Sequence, residues 1–422
     1  MPESDVTVRS ARVSFRQIDL DHPFAISGRV ISWFTLALVD VEVADRRGRT
    51  ARGLGASVLS VPWSWPVSTL DVQGRDAILR DLAVRLAEKA TAAHGPADPI
   101  AHWFRLRAGL EDDAMCAVGW RAGSAPEDAG GVPQLAAMLA LGAVDNAIHD
   151  GWARAAGRPA HSMYGAEHLA VDLGDCLGDG ALSGRYPIEF LEANPRRRLQ
   201  VQHVVGVSDP LDGGLLGFRH LKVKLEGRDP SLDAQRLSAV ARLAPDASLS
   251  LDPNEGYPEP EALGAMLAEL PPDVFRAVSY VEQPFPRDAV PDPDEVRRHS
   301  HGKPVLLDEG LDDLSRLPGL AEAGWSGLVV KASKGQTPSL LCHSFARAHG
   351  LFVTVQDLTA VDTALEHSAR LASVLSLSHP AFEYNSRQYA PSGNRELAGR
   401  NPELTTVHDG TIALQDLRPG LY

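Results

Sequence analysis

Charged side chains end five successive short apolar runs in the second half of the chain. Consecutive ends lie 23 to 30 residues apart, which is about the length of one βα unit. If the runs are parallel strands of a barrel, their carboxyl ends face one opening, where enzymes of this fold place their active sites. The runs end in Lys222-Val223-Lys224, Asp252-Pro253-Asn254, Glu282-Gln283-Pro284, Asp308-Glu309-Gly310 and Lys331-Ala332-Ser333-Lys334.

Three of these ends are carboxylates, namely Asp252, Glu282 and Asp308. A single acidic residue at a strand end is more often an ordinary cap or turn residue. Three carboxylates at one opening would repel each other and raise their own pKa values. A bound divalent cation removes that conflict, and an all-oxygen ligand set favours Mg²⁺, with Mn²⁺ as the alternative, over zinc. The sequence therefore predicts a three-carboxylate metal site.

Lysines flank the predicted metal site. Lys222 and Lys224 are two apart on a strand, so both side chains point to one face, which we interpret as the barrel interior. Lys331 comes from the sixth strand, on the opposite wall of the barrel. A lysine in a cationic, partly desolvated site has a lowered pKa and can act as a general base. The alternative is that these lysines only neutralise the carboxylates.

The surrounding pattern predicts the elements that must hold these residues. Eight short apolar runs, mostly separated by helical segments, indicate βα units that close as a barrel. The sequence leaves two interpretations of the glycine-rich segment 165–200. It is either a lid-like insertion before the first barrel strand or, through Val171–Leu173, part of that strand. The runs are Gln202–Val207, His220–Leu225, Ser248–Asp252, Val278–Glu282, Pro304–Asp308, Leu328–Lys331, Leu351–Val355 and Ala381–Glu383.

The first third of the chain has another pattern. Two β-rich runs, Val6–Leu20 and Ser32–Val43, predict antiparallel strands. Apolar residues at helical spacing predict helices over Val72–Ala93 and Leu135–Ala156. We therefore expect an α+β domain over residues 1–130 and the barrel over residues 131–389.

Composition limits the class of protein. The chain has 422 residues, 44% of them hydrophobic, and a net charge of −14. Such an acidic chain has no overall attraction for nucleic acid or anionic membranes. Its three cysteines lie in no paired motif, and no apolar run is long enough to span a bilayer. We expect a cytoplasmic protein without nucleic-acid or membrane partners.

In order and spacing, the five strand-end motifs resemble those of the enolase superfamily, of the mandelate racemase and muconate lactonizing enzyme type. The resemblance implies an α/β fold, a modified TIM (β/α) barrel with an N-terminal α+β capping domain to which a tail over about 390–422 returns. It implies that Asp252, Glu282 and Asp308 bind Mg²⁺ and that Lys224 and Lys331 are the acid/base pair. Lys222 would hold the substrate carboxylate and tune Lys224, and the expected surrounding residues are Asn254, Glu309 and Lys334.

The subgroup motifs are mixed. A lysine on strand six resembles the muconate-lactonizing branch. Strand eight, ending in Glu383-Tyr384-Asn385, resembles the mandelate-racemase branch, in which this glutamate hydrogen-bonds the substrate carboxylate. The Asp-x-Asp of dipeptide epimerases is missing there. Mobile capping loops are expected at Phe24–Val30 and Gly53–Pro66, and in the second of them Trp63 and Trp65 either contact the substrate or pack on the barrel rim.

The resemblance implies abstraction of the α-proton of a small carboxylate substrate to give a metal-stabilised enediolate. Return of the proton from the opposite lysine makes the protein a racemase or epimerase, and we expect a hydroxy acid substrate. The same half-reaction also serves an acid-sugar-type dehydratase or a cycloisomerase. The alternative from another class is a non-catalytic carboxylate-binding barrel. The resemblance also implies a homo-oligomer, from dimer to octamer.

Overall fold

The structure is a computed structural model that describes residues 2–26, 28–92, 95–122 and 131–422. The chain begins with an antiparallel meander of three strands, β1 (Val6–Ile26), β2 (Arg29–Asp45) and β3 (Thr50–Leu59). The first two extend the predicted strands at their ends. The register between them runs from Val6 opposite Asp45 to Ile26 opposite Arg29, with two irregularities.

The prediction of a mobile loop at Gly53–Pro66 is wrong for its first half, which forms β3. The glycines at 53 and 55 suggested a flexible loop, but they allow another backbone to pack closely against the strand. A Cβ at either position would collide with the backbone of the long helix α5 (Gln134–Ala156), at Ala147 and Ala143 respectively. The other predicted loop, Phe24–Val30, forms the ends of β1 and β2 and the turn at Gly28, and Ser27 lies outside the described residues.

Helices then cover the sheet. Both predicted helices are present, although residue 93 lies outside the described residues. Helix α5 is buried on nearly every face, contacts β2 and β3, and ends at Gly157, whose φ of 67° is left-handed. The helices of this region are α1 (Val61–Ser64), α2 (Val72–Thr91), α3 (Pro99–Arg107), α4 (Leu110–Ala122), α5 (Gln134–Ala156) and α6 (Leu173–Leu177).

Eight parallel strands form the barrel, as predicted. In the ladder the last of these strands pairs with the first, and the others follow in chain order up to the seventh. The barrel closes where the backbone N–H of Ser378, just before the last strand, donates a hydrogen bond to Val353 O of the seventh strand at 2.9 Å. The strands are β4 (Arg198–Val205), β5 (His220–Lys224), β6 (Ser248–Asp252), β7 (Val278–Glu282), β8 (Val305–Leu307), β9 (Gly327–Val330), β10 (Phe352–Val355) and β11 (Ala381–Glu383).

The question of the first barrel strand is thereby settled. It is β4, which begins at Arg198, whereas Leu173 opens helix α6 and pairs in no strand. The segment before it contains short helical turns at Gly180–Leu182 and Pro187–Phe190. None of its residues lines the cavity at the strand ends described below.

The barrel helices are α7 (Pro230–Leu243), α8 (Pro260–Glu269), α9 (Pro272–Ala277), α10 (Pro293–His299), α11 (Gln336–Ala348) and α12 (Thr363–Val374). The C-terminal segment forms α13 (Ser386–Tyr389), α14 (Arg395–Arg400), α15 (Pro402–Thr405) and β12 (Thr411–Ala413), which pairs with β4. Tyr422 then donates a hydrogen bond to Leu54 O of β3 at 3.0 Å. The domain limits at 130 and 389 stay a proposal. Among the described residues, no helix is long and apolar enough to cross a membrane.

Candidate metal and proton-transfer site

The parallel register brings the predicted site residues to one end of the barrel. Lys224 lies opposite Asp252 across β5 and β6. The next connection is held by Gln283, whose Oε1 accepts hydrogen bonds from the backbone of Asp308 at 2.8 Å and Gly310 at 3.0 Å. Gln283 has a φ of 36°, a value that residues other than glycine rarely adopt. Residues with such strained backbone conformations cluster at functional sites. Strand ends are therefore fixed relative to each other by side-chain as well as ladder hydrogen bonds.

Lys222 lies at the centre of the cluster and is only 1% exposed. Its Nζ lies 2.9 Å from Asp252 Oδ2, 2.9 Å from Glu282 Oε2 and 3.1 Å from Glu383 Oε2. It also donates a hydrogen bond to Gln356 Oε1 at 3.3 Å. The central ammonium group thus contacts carboxylates from three different strands.

Lys224 starts a second chain of contacts, which crosses to the N-terminal domain. Its Nζ donates to Asp252 Oδ2 at 2.5 Å and to Asn254 Oδ1 at 2.9 Å. Asn254 in turn donates to Glu309 Oε1 at 3.0 Å, and Trp63 Nε1 donates to the same oxygen at 2.9 Å. Asn254 and Glu309 therefore connect the strand-end lysine to the short helix α1.

Lys331 approaches from the other side. Its Nζ lies 3.0 Å from Asp308 Oδ2 and donates to the carbonyl of Asp357 at 3.2 Å. Lys334 donates to Asp308 O at 2.7 Å. Both ammonium groups lie over the Trp63 ring, at 5.3 Å and 5.6 Å from its centroid, within the range of cation–π attraction.

Burial and crowded charges perturb the cluster. Burial, together with the carboxylates of Asp252 and Asp308, raises the pKa of Glu282 to about 8, although Lys222 opposes this shift. Burial also raises the pKa of Asp252, but Lys222 and Lys224 outweigh it and lower that pKa overall. Burial and the neighbouring Asp308 raise the pKa of Glu309 to about 7.

The predicted lowering of the lysine pKa values is wrong for two of the lysines as they stand in this structure. Burial lowers the pKa of Lys331, but the carboxylates of Asp308 and Glu282 outweigh it and raise the pKa above its usual value. The pKa of Lys222 is raised in the same way, by Asp252, Glu282 and Glu383 against burial. Only at Lys334 among these three does burial prevail and lower the pKa. At Lys222 and Lys331 the neighbouring carboxylates therefore favour the charged ammonium.

The donor set fits a hard divalent cation. Asp252, Glu282 and Asp308 offer only oxygen, and Glu282 Oε2, Asp308 Oδ2 and Glu309 Oε2 are buried atoms without a hydrogen bond among the described residues. Lys222 and Lys331 lie within ion-pair distance of the first two but without hydrogen-bond geometry. The three predicted ligands do not meet within 4.8 Å of one another, because ammonium groups lie between them.

A small cavity of about 30 Å³ lies at this end of the barrel. Its charged wall includes Lys222, Lys224, Asp252, Lys331 and Glu383. Its other wall is largely apolar and comes from the N-terminal domain and the late loops, through Phe24, Ile26, Ile31, Phe34, Trp63, Leu358 and Tyr389. The arrangement offers charged groups to one part of a small ligand and an apolar surface to another.

Trp63 and Trp65 lie in different environments. Trp63 lines the cavity, whereas Trp65 does not, so the structure does not support substrate contact by Trp65. Trp65 is 2% exposed within the apolar core, and its carbonyl accepts a hydrogen bond from Arg75. The physical reason is that residues two apart on a helical turn point in different directions.

Sequence reasoning missed a polar layer below the site. Tyr280 Oη accepts a hydrogen bond from Gln356 Nε2 at 2.6 Å, and Gln356 contacts Lys222. Strand alternation was the available signal, because Tyr280 lies two residues before Glu282 and therefore on the same face. Glu383 was predicted, and both of its oxygens are occupied, Oε1 by Asn385 at 2.9 Å and Oε2 by Lys222.

Comparison with known proteins agrees with this geometry. Residues 214–421 match the family model "Enolase C-terminal domain-like". An N-succinylamino acid racemase from Thermus thermophilus is 26% identical over 255 residues, which are 60% of this chain and 61% of that protein. The chain thus matches about three-fifths of the length of this curated relative.

Solved structures share the fold over nearly the whole chain. A mandelate racemase/muconate lactonizing protein from Herpetosiphon aurantiacus has a TM-score of 0.64 at 20% identity and covers 99% of this chain and 98% of its own. A dipeptide epimerase from Cytophaga hutchinsonii, complexed with Mg and the dipeptide D-Ala-L-Val, has a TM-score of 0.63 at 17% identity. The match covers 90% of this chain and 87% of the epimerase. Residues 214–421 therefore belong to the enolase C-terminal domain-like family, and nearly the whole chain has the fold of mandelate racemase and muconate lactonizing proteins.

Proposed function

We propose that the protein is a Mg²⁺-dependent enzyme that removes the proton next to a substrate carboxylate and returns it, as a racemase or epimerase. The observation that carries this proposal is the placement of Lys224 and Lys331. They come from the second and sixth barrel strands and line the same small cavity, beside Asp252 and Asp308 respectively. Two bases on different sides of a carbon can each address one of its faces.

Each group of site residues has its own role in the proposed reaction. Asp252, Glu282 and Asp308 would hold Mg²⁺, which when bound supplies positive charge opposite the oxygens of the substrate carboxylate. Lys222, central and buried, adds a further positive charge for that carboxylate. One of the pair Lys224 and Lys331 takes the α-proton at its Nζ, and the other gives a proton to the opposite face. The apolar wall excludes water, which strengthens these electrostatic contacts.

The base must be neutral before it takes a proton. Asp308 and Glu282 favour the charged form of Lys331. Neutralising those two carboxylates removes the cause of the raised pKa and leaves burial, which favours the neutral amine. The same carboxylates that would hold the cation therefore set the protonation state of the base.

For the substrate we propose a small hydroxy acid with an apolar group at the reacting carbon. The apolar group would face Phe24, Ile31 and Phe34. Strand eight carries Glu383-Tyr384-Asn385 in place of an Asp-x-Asp, which weakens recognition of an ammonium group. The names of the similar proteins make N-succinylamino acids and dipeptides the competing classes.

Proton exchange in D₂O tests the function directly. The protein, with Mg²⁺, is incubated with panels of hydroxy acids, N-succinylamino acids and dipeptides, and the α-proton signal is followed by NMR. We expect one class to exchange, and EDTA to stop the exchange. Exchange with loss of water would instead favour the dehydratase reaction. If no carboxylate in any class exchanges, the non-catalytic barrel replaces this proposal.

A further inference from the structure

A second cavity lies away from the barrel opening. It has a volume of about 590 Å³ and lies between the N-terminal sheet, helix α12 and the C-terminal segment. It shares no lining residue with the cavity at the strand ends. Its volume falls within the range of small-molecule sites, roughly 300–1,000 Å³.

One lining residue, Arg370, is buried without a partner. It lies on α12, is 6% exposed, and makes no side-chain hydrogen bond or ion pair with any described residue. Burial lowers its pKa, and the carboxylates of Glu366 and Asp416 offset this shift only in part. Buried charges in proteins are normally paired, because leaving water is costly for a charged group.

The other charged groups around this guanidinium have their own partners. Glu366 lies one turn before Arg370 but is bound by Arg400 and by Asn401. Asp416, which also influences Arg370, pairs with Arg197 at 2.8 Å. The nearby acids are therefore already engaged elsewhere.

A second arginine adds to the positive charge at this end of the cavity. Arg418 also lines the cavity, is exposed, and contacts only a neutral group, Gln415 Oε1, at 3.4 Å among the described residues. Two other arginines of the lining, Arg16 and Arg400, are both paired with Asp362. Among the described lining residues, Arg370 and Arg418 are therefore the arginines without an acidic partner.

We propose that this cavity binds a small organic anion, whose carboxylate or phosphate group pairs with Arg370 and Arg418. Arginine suits either group, because its planar donors match two oxygens at once. The cavity is larger than the anionic group needs, so the rest of the ligand would face the polar side chains of Asn401 and Gln415. This site is independent of the proposed catalytic function.

Calorimetric titration of the full chain tests the proposal. Succinate and inorganic phosphate are the probes, and EDTA is present to keep metal out of the barrel. We expect saturable binding of at least one probe, and the preferred probe identifies carboxylate or phosphate as the anchoring group. Arg370→Gln should weaken it at least tenfold and Arg418→Gln at least threefold, and circular dichroism should confirm that both variants are folded.

Two controls make the outcome decisive. Arg242→Gln removes an exposed arginine of α7, and Lys224→Ala removes a cation from the barrel site; both should leave the affinity within twofold of the parent chain. No saturable binding, or equal affinity in Arg370→Gln, overturns the proposal. So does a change in the mass of the assembly in Arg370→Gln, by sedimentation, without any anion binding, because the cavity would then receive a second copy of the chain.

Discussion

Trp63 Nε1 donates a hydrogen bond to Glu309 Oε1 at 2.9 Å and thereby joins the N-terminal domain to the barrel at the candidate site. The same indole lies over the ammonium groups of Lys331 and Lys334. One side chain of the N-terminal domain therefore contacts both the proposed base and a carboxylate beside the proposed metal ligands.

Replacing Trp63 should affect catalysis more than Trp65. Trp63→Phe removes the donor to Glu309 and weakens the contact with Lys331, so we expect at least a tenfold lower exchange rate. Loss of a hydrogen bond to a buried charged group costs about 1–3 kcal/mol of unfolding free energy. The matched variant Trp65→Phe should lower stability with little change in rate. Equal rate losses in both would contradict the distinction between the two residues.

Metal binding should be visible as added stability. Mg²⁺ given to EDTA-treated protein should raise the unfolding temperature, because a ligand at one hundred times its Kd stabilises by about 2.7 kcal/mol. Asp308→Asn should remove most of that shift in differential scanning fluorimetry.

The control for the metal prediction uses the other group of candidate ligands. Glu261, Glu295 and His299 have ligand atoms within 4.8 Å of one another, and none of them lines the cavity at the strand ends. Glu261→Gln should leave the Mg²⁺ shift unchanged. If the Mg²⁺-induced rise in unfolding temperature disappears in Glu261→Gln and persists in Asp308→Asn, the ion binds at the Glu261 cluster and not at the barrel carboxylates.

Acid should destabilise the protein through its buried histidines. Burial lowers the pKa of His367 and His379 to about 3 and of His203 and His343 to about 4. An unfolded histidine titrates near 6.5, so between these values the unfolded chain binds more protons. The unfolding free energy should therefore be highest above about pH 6.5 and fall as the pH drops towards 4.

One substitution isolates that effect. His367→Gln should flatten the decline by up to about 1.4 kcal/mol per pH unit, because one fewer proton is then linked to unfolding. Urea unfolding at several pH values measures it. The exposed His22→Gln is the control and should leave the slope unchanged. An unaltered slope in His367→Gln would show that this histidine is not the neutral buried group described above.

Much of the site could be predicted because parallel strands convert sequence spacing into spatial order. Lys222 and Lys224 contact Asp252 as strand alternation requires, and the sixth-strand Lys331 comes to Asp308. Side chains two residues apart on a strand share a face, and all strands of the barrel end at the same opening. These two rules are enough to predict that the lysines and carboxylates lie together.

Other features depended on packing that no local pattern encodes. Gly53 and Gly55 resemble a loop until the backbone of α5 is in place. The burial of Trp65 and the unpaired Arg370 depend on contacts between distant segments. The raised pKa of Lys331 depends on how many carboxylates crowd around it, which the strand-end motifs show only in part.

The most direct test of the central claim follows each enantiomer of the exchanging substrate in D₂O with Lys224→Ala and Lys331→Ala. If the two lysines address opposite faces, each variant should lose inversion. Each should still exchange the α-proton of one enantiomer only, and the two variants should differ in which one. Inversion at the parent rate in either variant, or exchange of the same enantiomer in both, would contradict the assignment of Lys224 and Lys331 as the opposed pair.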